Sequence, residues 1–437
     1  MHQGQSHGRE VTRGQAGPHR IAGPQDRSAE PESLGKRRTC LALMRRNTDM
    51  PVLWLATVIY HLGLGMQQVV LGWVVLALTH SEAMVGTVFA VRSAPNLVVG
   101  FAAGALTDRY DRRSLMRLAA FGMAGVSFIL ACLAYTEELT VWHLLLGTGA
   151  LGVWQALEAT ARQAYVVDTL GVHRAVQGIA LISLAQRCGG VLGALLAGVT
   201  LAWWGTAVTF VIMATSYGIG ACVLYALRRQ GIAAPTAREP IRQNLLTYLR
   251  ALRTNQDVRA LMFSTAAAEL LGFSHQVMLP ILAKEVLQVG AGGLGVLTAF
   301  RFLGGVLGVS GLTALGARHR GGKMLLVVLM LFGAGQVLLA YAPTFWFATG
   351  CVVFINLMAA VTDVLHQTLL QFSVANEQRG RAMGSWIIGT GIAPVGHLEV
   401  GALASFTSAH VALLTNGLAL MLLTLGMAVG IPRLWRL

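Results

Sequence analysis

Apolar runs of about twenty residues or more recur along the whole chain, separated by polar turns. In helical form, a run of that length almost free of charge matches the hydrocarbon thickness of a bilayer. In lipid every backbone N–H and C=O needs a partner inside the chain. That leaves helices or closed barrels, and these runs are too long for barrel strands. They fall at roughly 51–78, 83–106, 114–135, 140–166, 175–202, 206–227, 258–285, 292–316, 323–341, 345–374, 382–403 and 408–431, which predicts an all-α membrane protein of 12 transmembrane helices. The composition agrees: 55% of the 437 residues are hydrophobic, and a soluble protein so composed would expose apolar surface and aggregate.

The formal net charge of +14 would point to nucleic acid in a soluble protein. Here the excess sits in the turns, where the positive-inside bias places it, so no nucleic-acid partner is expected. One set of alternate turns carries Arg109, Arg112, Arg113 and Arg117; Arg162 and Arg174; Arg228, Arg229, Arg238, Arg242, Arg250, Arg253 and Arg259; Arg318, Arg320 and Lys323; and Arg379 and Arg381. The other set carries Lys284 alone. A missed or invented span would scramble this alternation. The arginine-bearing face is therefore expected to be cytoplasmic, with both termini on it, closed by Arg433 and Arg436.

Residues 1–48 are polar and without apolar period, and read as a disordered cytoplasmic tail. They hold no apolar core ending in a small-residue cleavage site, so no secretory signal is expected. The one long turn, 228–257, contains Pro235 and Pro240 and separates a bundle over 49–227 from one over 258–437. A short surface helix is expected around Ile241–Leu252. The two bundles repeat. Val85-Gly86-Thr87-Val88-Phe89-Ala90-Val91-Arg92 aligns with Leu294-Gly295-Val296-Leu297-Thr298-Ala299-Phe300-Arg301, and Arg109 aligns with Arg318 at the same offset. Two pseudo-symmetric six-helix bundles joined by a basic loop form the architecture of a rocking carrier, with solute held between them near the midplane.

The turn Gly104-Ala105-Leu106-Thr107-Asp108-Arg109-Tyr110-Asp111-Arg112-Arg113 resembles the loop between the second and third helices of the major facilitator superfamily. Asp111 stands where that family often has Gly, a departure common in its bacterial subgroup of exporters similar to the enterobactin exporter and macrolide efflux proteins. Ala161-Arg162-Gln163-Ala164, Asn376-Glu377-Gln378-Arg379-Gly380-Arg381 and Gly391-Ile392-Ala393-Pro394-Val395-Gly396 resemble the same subgroup. The resemblance covers roughly residues 50–430 and implies the major facilitator fold, alternating access and a plasma (inner) membrane location. Within the motif, Gly104 allows close helix approach, and Asp108 suits a helix N-terminus of the other bundle. Arg109, Arg112 and Arg113 can pair across the cytoplasmic seam. The motif thus either gates a two-state equilibrium or simply sets topology.

Ionisable residues within spans are costly, and each raises a functional hypothesis. Arg92 and Arg301 occupy equivalent repeat positions near mid-span. They either clamp an anionic group of the substrate or form structural pairs. Arg187, followed by Gly189-Gly190-Val191-Leu192-Gly193, is a third candidate contact. The stretch partly resembles the antiporter glycine motif, with Val191 in place of Pro. Glu269 and Asp363 are the deepest carboxylates. Burial opposes ionisation of a carboxyl and a nearby Arg favours it, a competition that suits proton coupling. Each could instead be a permanent partner of Arg301 or Arg187. His366, one turn beyond Asp363, could relay a proton or be an ordinary interior histidine. Glu158 and Arg162 have the spacing of a helical ion pair, structural or gating. Glu399, near an outer helix end, is expected to face water.

The five cysteines show no paired spacing, so neither disulfides nor a metal site are expected. No phosphate-binding loop of the GxxxxGK[ST] type and no nucleophilic constellation occurs, so ATP is not expected to drive the protein, and neither enzymatic activity nor a cofactor is expected. Trp203, Trp204 and Trp346 read as interfacial belt residues. Together these features predict a monomeric secondary transporter. It would export a small amphiphilic or anionic molecule, siderophore-like compound or drug, against a proton gradient. An uptake carrier for an organic anion, or a non-transporting assembly or sensor protein on the same fold, are the alternatives.

Overall fold

The computed structural model describes residues 47–107, 109–229, 255–315, 321–373 and 389–435. Their secondary structure is helical, with no strand among them. In chain order the helices are α1 (Asp49–Thr79), α2 (Glu82–Thr107), α3 (Arg112–Tyr135), α4 (Val141–Leu170), α5 (Val172–Trp203) and α6 (Gly205–Val223). After the basic loop come α7 (Gln256–Ala267), α8 (His275–Ile281), α9 (Gly290–Leu315), α10 (Gly321–Ala340), α11 (Phe345–Phe372), α12 (Ala393–Phe406) and α13 (Ala409–Gly430). Among the described residues nine helical segments are long and apolar enough to cross a membrane. Their outward faces carry exposed apolar side chains such as Phe128, Ile129, Leu146, Leu422 and Val429, a surface suited to lipid.

Polar residues start the helices. Thr140 and His143 form a reciprocal capping box on α4, and Asn255 accepts from the backbone N–H groups of Asp257 and Val258 at α7. Asp111 accepts from the Arg113 N–H at α3, and Thr344 and Ser408 cap α11 and α13 in the same way. Each cap satisfies an N–H that a helix start leaves without a partner.

The span expected at 258–285 is not one uninterrupted α-helix. It is broken by π turns at Ala268–Gly272 and Leu282–Val286, with Pro280 inside α8. The freed carbonyls are re-satisfied. Gln336 Nε2 and Ser274 Oγ both donate to the Leu271 carbonyl, at 3.2 and 2.8 Å, and His275 Nδ1 donates to the Gly272 carbonyl at 2.7 Å. Apolar length alone predicts the run but not its register, which is why the breaks are invisible to it.

Helices from the two parts of the chain meet at the end opposite the arginine-rich turns. There α2 packs on α12, α5 on α9, and α1 on α8. Backbones touch at Gly86 and Gly401 and again at Gly198 and Gly295, where a Cβ on one glycine would strike the backbone of the other helix of the pair. Lys284 Nζ donates to the Leu76 carbonyl at 3.1 Å across the same seam. Among the described residues at the arginine-rich end, the hydrogen bonds found stay within one part of the chain. Asp49 accepts from the N–H groups of Arg228 and Arg229 and from Tyr165 Oη, and Asn255 Nδ2 donates to the Ser373 carbonyl. Asp108, Arg318, Arg320, Arg379, Arg381, the tail up to residue 46 and the predicted surface helix lie outside the described residues.

Candidate functional site

The three mid-span arginines singled out by the sequence are partly buried and converge. Arg92 on α2, Arg187 on α5 and Arg301 on α9 come from helices that line the junction, and Arg301 is close enough to both others for their charges to repel. Arg92 Nη2 donates to Gln155 Oε1 at 3.4 Å, while its buried Nε has no partner. Arg301 Nη1 donates to Gln276 Oε1, and its guanidinium lies 5.0 Å from the centre of the Phe302 ring. Between the helices a cavity is lined by Gln68, Phe89, Gln276, Leu279, Thr298 and Arg301.

Glu269 lies in the first π turn and Asp363 on α11, near enough for their charges to interact. Asp363 in turn faces the field of Arg187. A π turn widens the helix and displaces side chains from ordinary register, a geometry common at functional positions. His366 is turned to a neutral partner: it is buried and its Nε2 donates to Ser264 Oγ at 2.8 Å, Ser264 itself donating to the Leu261 carbonyl.

Glu158 and Arg162 are paired at 2.9 Å and both are buried. Arg162 also lies 3.2 Å from His61 Nδ1 and 5.7 Å from the centre of the Tyr60 ring. Tyr60 stacks at an angle on Tyr217, whose hydroxyl donates to Gln67 Oε1 at 2.9 Å. This polar patch lies within the field of Arg92.

Gly104 falls within α2 and Arg109 is exposed. Arg112 forms an ion pair with Asp168 and donates to the Ala164 carbonyl at 3.2 Å, and Arg113 pairs with Asp111 and reaches the Leu227 carbonyl at 3.1 Å. Among the described residues the contacts of Arg112 and Arg113 are made within α3, α4 and the end of the α6 segment. Glu399 does not merely face water: it is half-buried and accepts from Asn416 Nδ2 at 3.0 Å. No group of three or more His, Cys, Asp or Glu residues gathers into a metal-binding arrangement among the described residues.

Several site residues carry no sequence signal of their own. Gln155 and Gln276 hold the two arginines, and His275 is fixed between the Gly272 carbonyl and Asn356. His397 bonds Ser93 across the seam at 3.2 Å and keeps a buried Nε2 without a partner. Polar residues in apolar spans were the available clue, but their partners lie far away in sequence.

The model of the transmembrane secretion effector family matches residues 39–434. The staphyloferrin A transporter of Staphylococcus aureus is 22% identical over 354 residues, covering 77% of this chain and 85% of its own. The enterobactin exporter of Salmonella choleraesuis is 26% identical over 350 residues, covering 79% and 83%. Among solved structures, a peptide transporter in complex with sulfate superposes with a TM-score of 0.74 at 13% identity over 89% of this chain and 95% of its own. A nucleoside transporter gives 0.73 at 13% identity over 88% and 99%. These two share the fold. A helical chain with apolar outer faces, charges gathered at an internal junction and a family match over nearly its whole length is a multi-pass, non-enzymatic transporter of a small molecule, and it belongs to the transmembrane secretion effector family of the major facilitator superfamily.

Proposed function

We propose that this transporter exports a small anionic molecule across the plasma (inner) membrane in exchange for protons. It does so by rocking two six-helix bundles, twelve spans in all, as a monomer with both termini in the cytoplasm. The observation that carries this is that Arg301, which lines the cavity, lies within the fields of Arg92 and Arg187 from across the junction. Three guanidinium groups in a lipid-enclosed site make strong, directional contacts with an oxyanion. The relative named as an enterobactin exporter supports the direction.

The seam closed by Gly86, Gly401 and Lys284 lies at the end away from the arginine-rich turns. With those turns on the cytoplasmic face, this is an inward-open form ready to load from inside. Glu269 and Asp363 would carry the exchanged proton. Asp363 lies within the fields of both Glu269 and Arg187, so its proton balance is set beside one of the arginines that the solute meets. His366 stands one turn from Asp363, and Glu158–Arg162 and the Arg112–Asp168 pair would brace the cytoplasmic side of the N-terminal bundle.

Everted membrane vesicles with an imposed pH gradient test this. Addition of organic anions should release protons in the wild type, and Glu269→Gln or Asp363→Asn should abolish that release. Wild-type behaviour of both variants would refute the coupling assignment.

A further inference from the structure

Arg301, which lines the cavity, and Arg92, across the junction from it, are held by uncharged partners. Gln276 supplies an amide oxygen to Arg301 and Gln155 one to Arg92. Among the described residues no carboxylate lies within 4.0 Å of either guanidinium. The other charges nearby are already offset: Glu158 and Arg162 pair at 2.9 Å, and Arg187 has Asp363 in range. Arg92 and Arg301 are therefore two cations without counter-ions. They sit one on each side of the junction, and Arg301 lies within the field of Arg92. An amide oxygen fixes the direction of a guanidinium without neutralising it, and most of its five N–H donors remain unspent. The buried, partnerless Nε of Arg92 is one such donor.

From this arrangement we infer that the transported molecule carries two anionic groups at once, one seated on Arg92 and the other on Arg301. This rests on the anion-export reading above. A monoanion would satisfy one guanidinium and leave the other as an unpaired charge in low dielectric, a costly state. A dianion neutralises both. It also bridges the bundles, so its own contacts pull on α2 and α9 together, which gives the solute differential affinity for the conformation in which both arginines reach it. The glutamines serve as positioning residues.

The test uses the purified full-length protein and a series of straight-chain dicarboxylates, from succinate to suberate, each with its monomethyl and dimethyl ester. Binding is read by thermal shift. At least one diacid should bind about tenfold tighter than its monoester, the worth of one charge-assisted hydrogen-bonded contact. The monoester should bind tighter than the neutral diester. Arg92→Gln and Arg301→Gln should each remove the diacid-over-monoester advantage, while Arg92→Lys retains most of it, which separates lost charge from lost folding. Equal binding of diacid and monoester, both above the diester, would overturn the two-charge inference and leave the anion site standing. No preference of any acid over its diester would overturn both.

Discussion

Ser93 Oγ lies 3.2 Å from Nδ1 of His397, a hydrogen bond that joins α2 to α12 across the seam. Ser93 already donates to the Phe89 carbonyl at 2.9 Å, so the imidazole N–H is the donor and the serine oxygen the acceptor. In the rocking proposed above, opening this end breaks the bond. Ser93→Ala should therefore weaken closure by about 1 kcal/mol, about fivefold in the ratio of closed to open forms. Amide hydrogen exchange over 82–93 and 393–401 should quicken accordingly. Unchanged exchange in both segments would show that the bond does not hold the seam.

The same seam is set by glycine contact. A Cβ on Gly401 would come within 2.8 Å of the Gly86 Cα and 3.0 Å of the Glu82 carbonyl, backbone that cannot step aside. Gly401→Val should oppose closure by about 1–3 kcal/mol, the usual cost of overpacking. Transport should fall to near background while the protein still elutes as a single folded species in detergent. Wild-type transport by this variant would mean that the glycines are not brought together during the cycle.

Glu158 and Arg162 pair inside the N-terminal helices with almost no solvent access. Glu158→Gln should cost about 3–5 kcal/mol by stranding the Arg162 charge, whereas Glu158→Gln with Arg162→Met should recover most of it. Thermal melting of the three variants measures the coupling. A double variant no more stable than the Glu158 single would contradict a compensating pair.

Arg112 and Asp168 join the start of α3 to the end of α4 where the pair is partly exposed. Screening limits its worth, so Asp168→Asn should lower stability by about 1 kcal/mol or less, and less again in high salt. A loss as large as that of Glu158→Gln in melting experiments would show that the arginine-rich end carries structural weight beyond this pair.

Much of the architecture was legible in the residues because hydropathy and loop charge are read against a fixed bilayer thickness. The run expected at 51–78 is a helix over Asp49–Thr79, and that expected at 345–374 is one over Phe345–Phe372. The Glu158–Arg162 pair was legible because a four-residue spacing puts two side chains on one helical face. The links that shape the site were not, since Arg92 with Gln155 and Ser93 with His397 lie 63 and 304 residues apart and meet only through packing. The Asn416 partner of Glu399 and the π turn that carries Glu269 were hidden for the same reason: apolar periodicity reports that a helix is buried, not which of its polar groups finds a partner.

The rocking of the two bundles is tested most directly by a distance across the closed end. Spin labels would be placed at Glu138→Cys and Pro343→Cys, exposed positions in the α3–α4 and α10–α11 turns, with the five native cysteines replaced. Pulsed electron resonance in nanodiscs should give two distances whose proportions shift between alkaline and acidic buffer, the longer one marking an opened seam, and Glu269→Gln with Asp363→Asn should flatten that shift. A single distance, unmoved across all buffers in a protein that transports, would contradict the account.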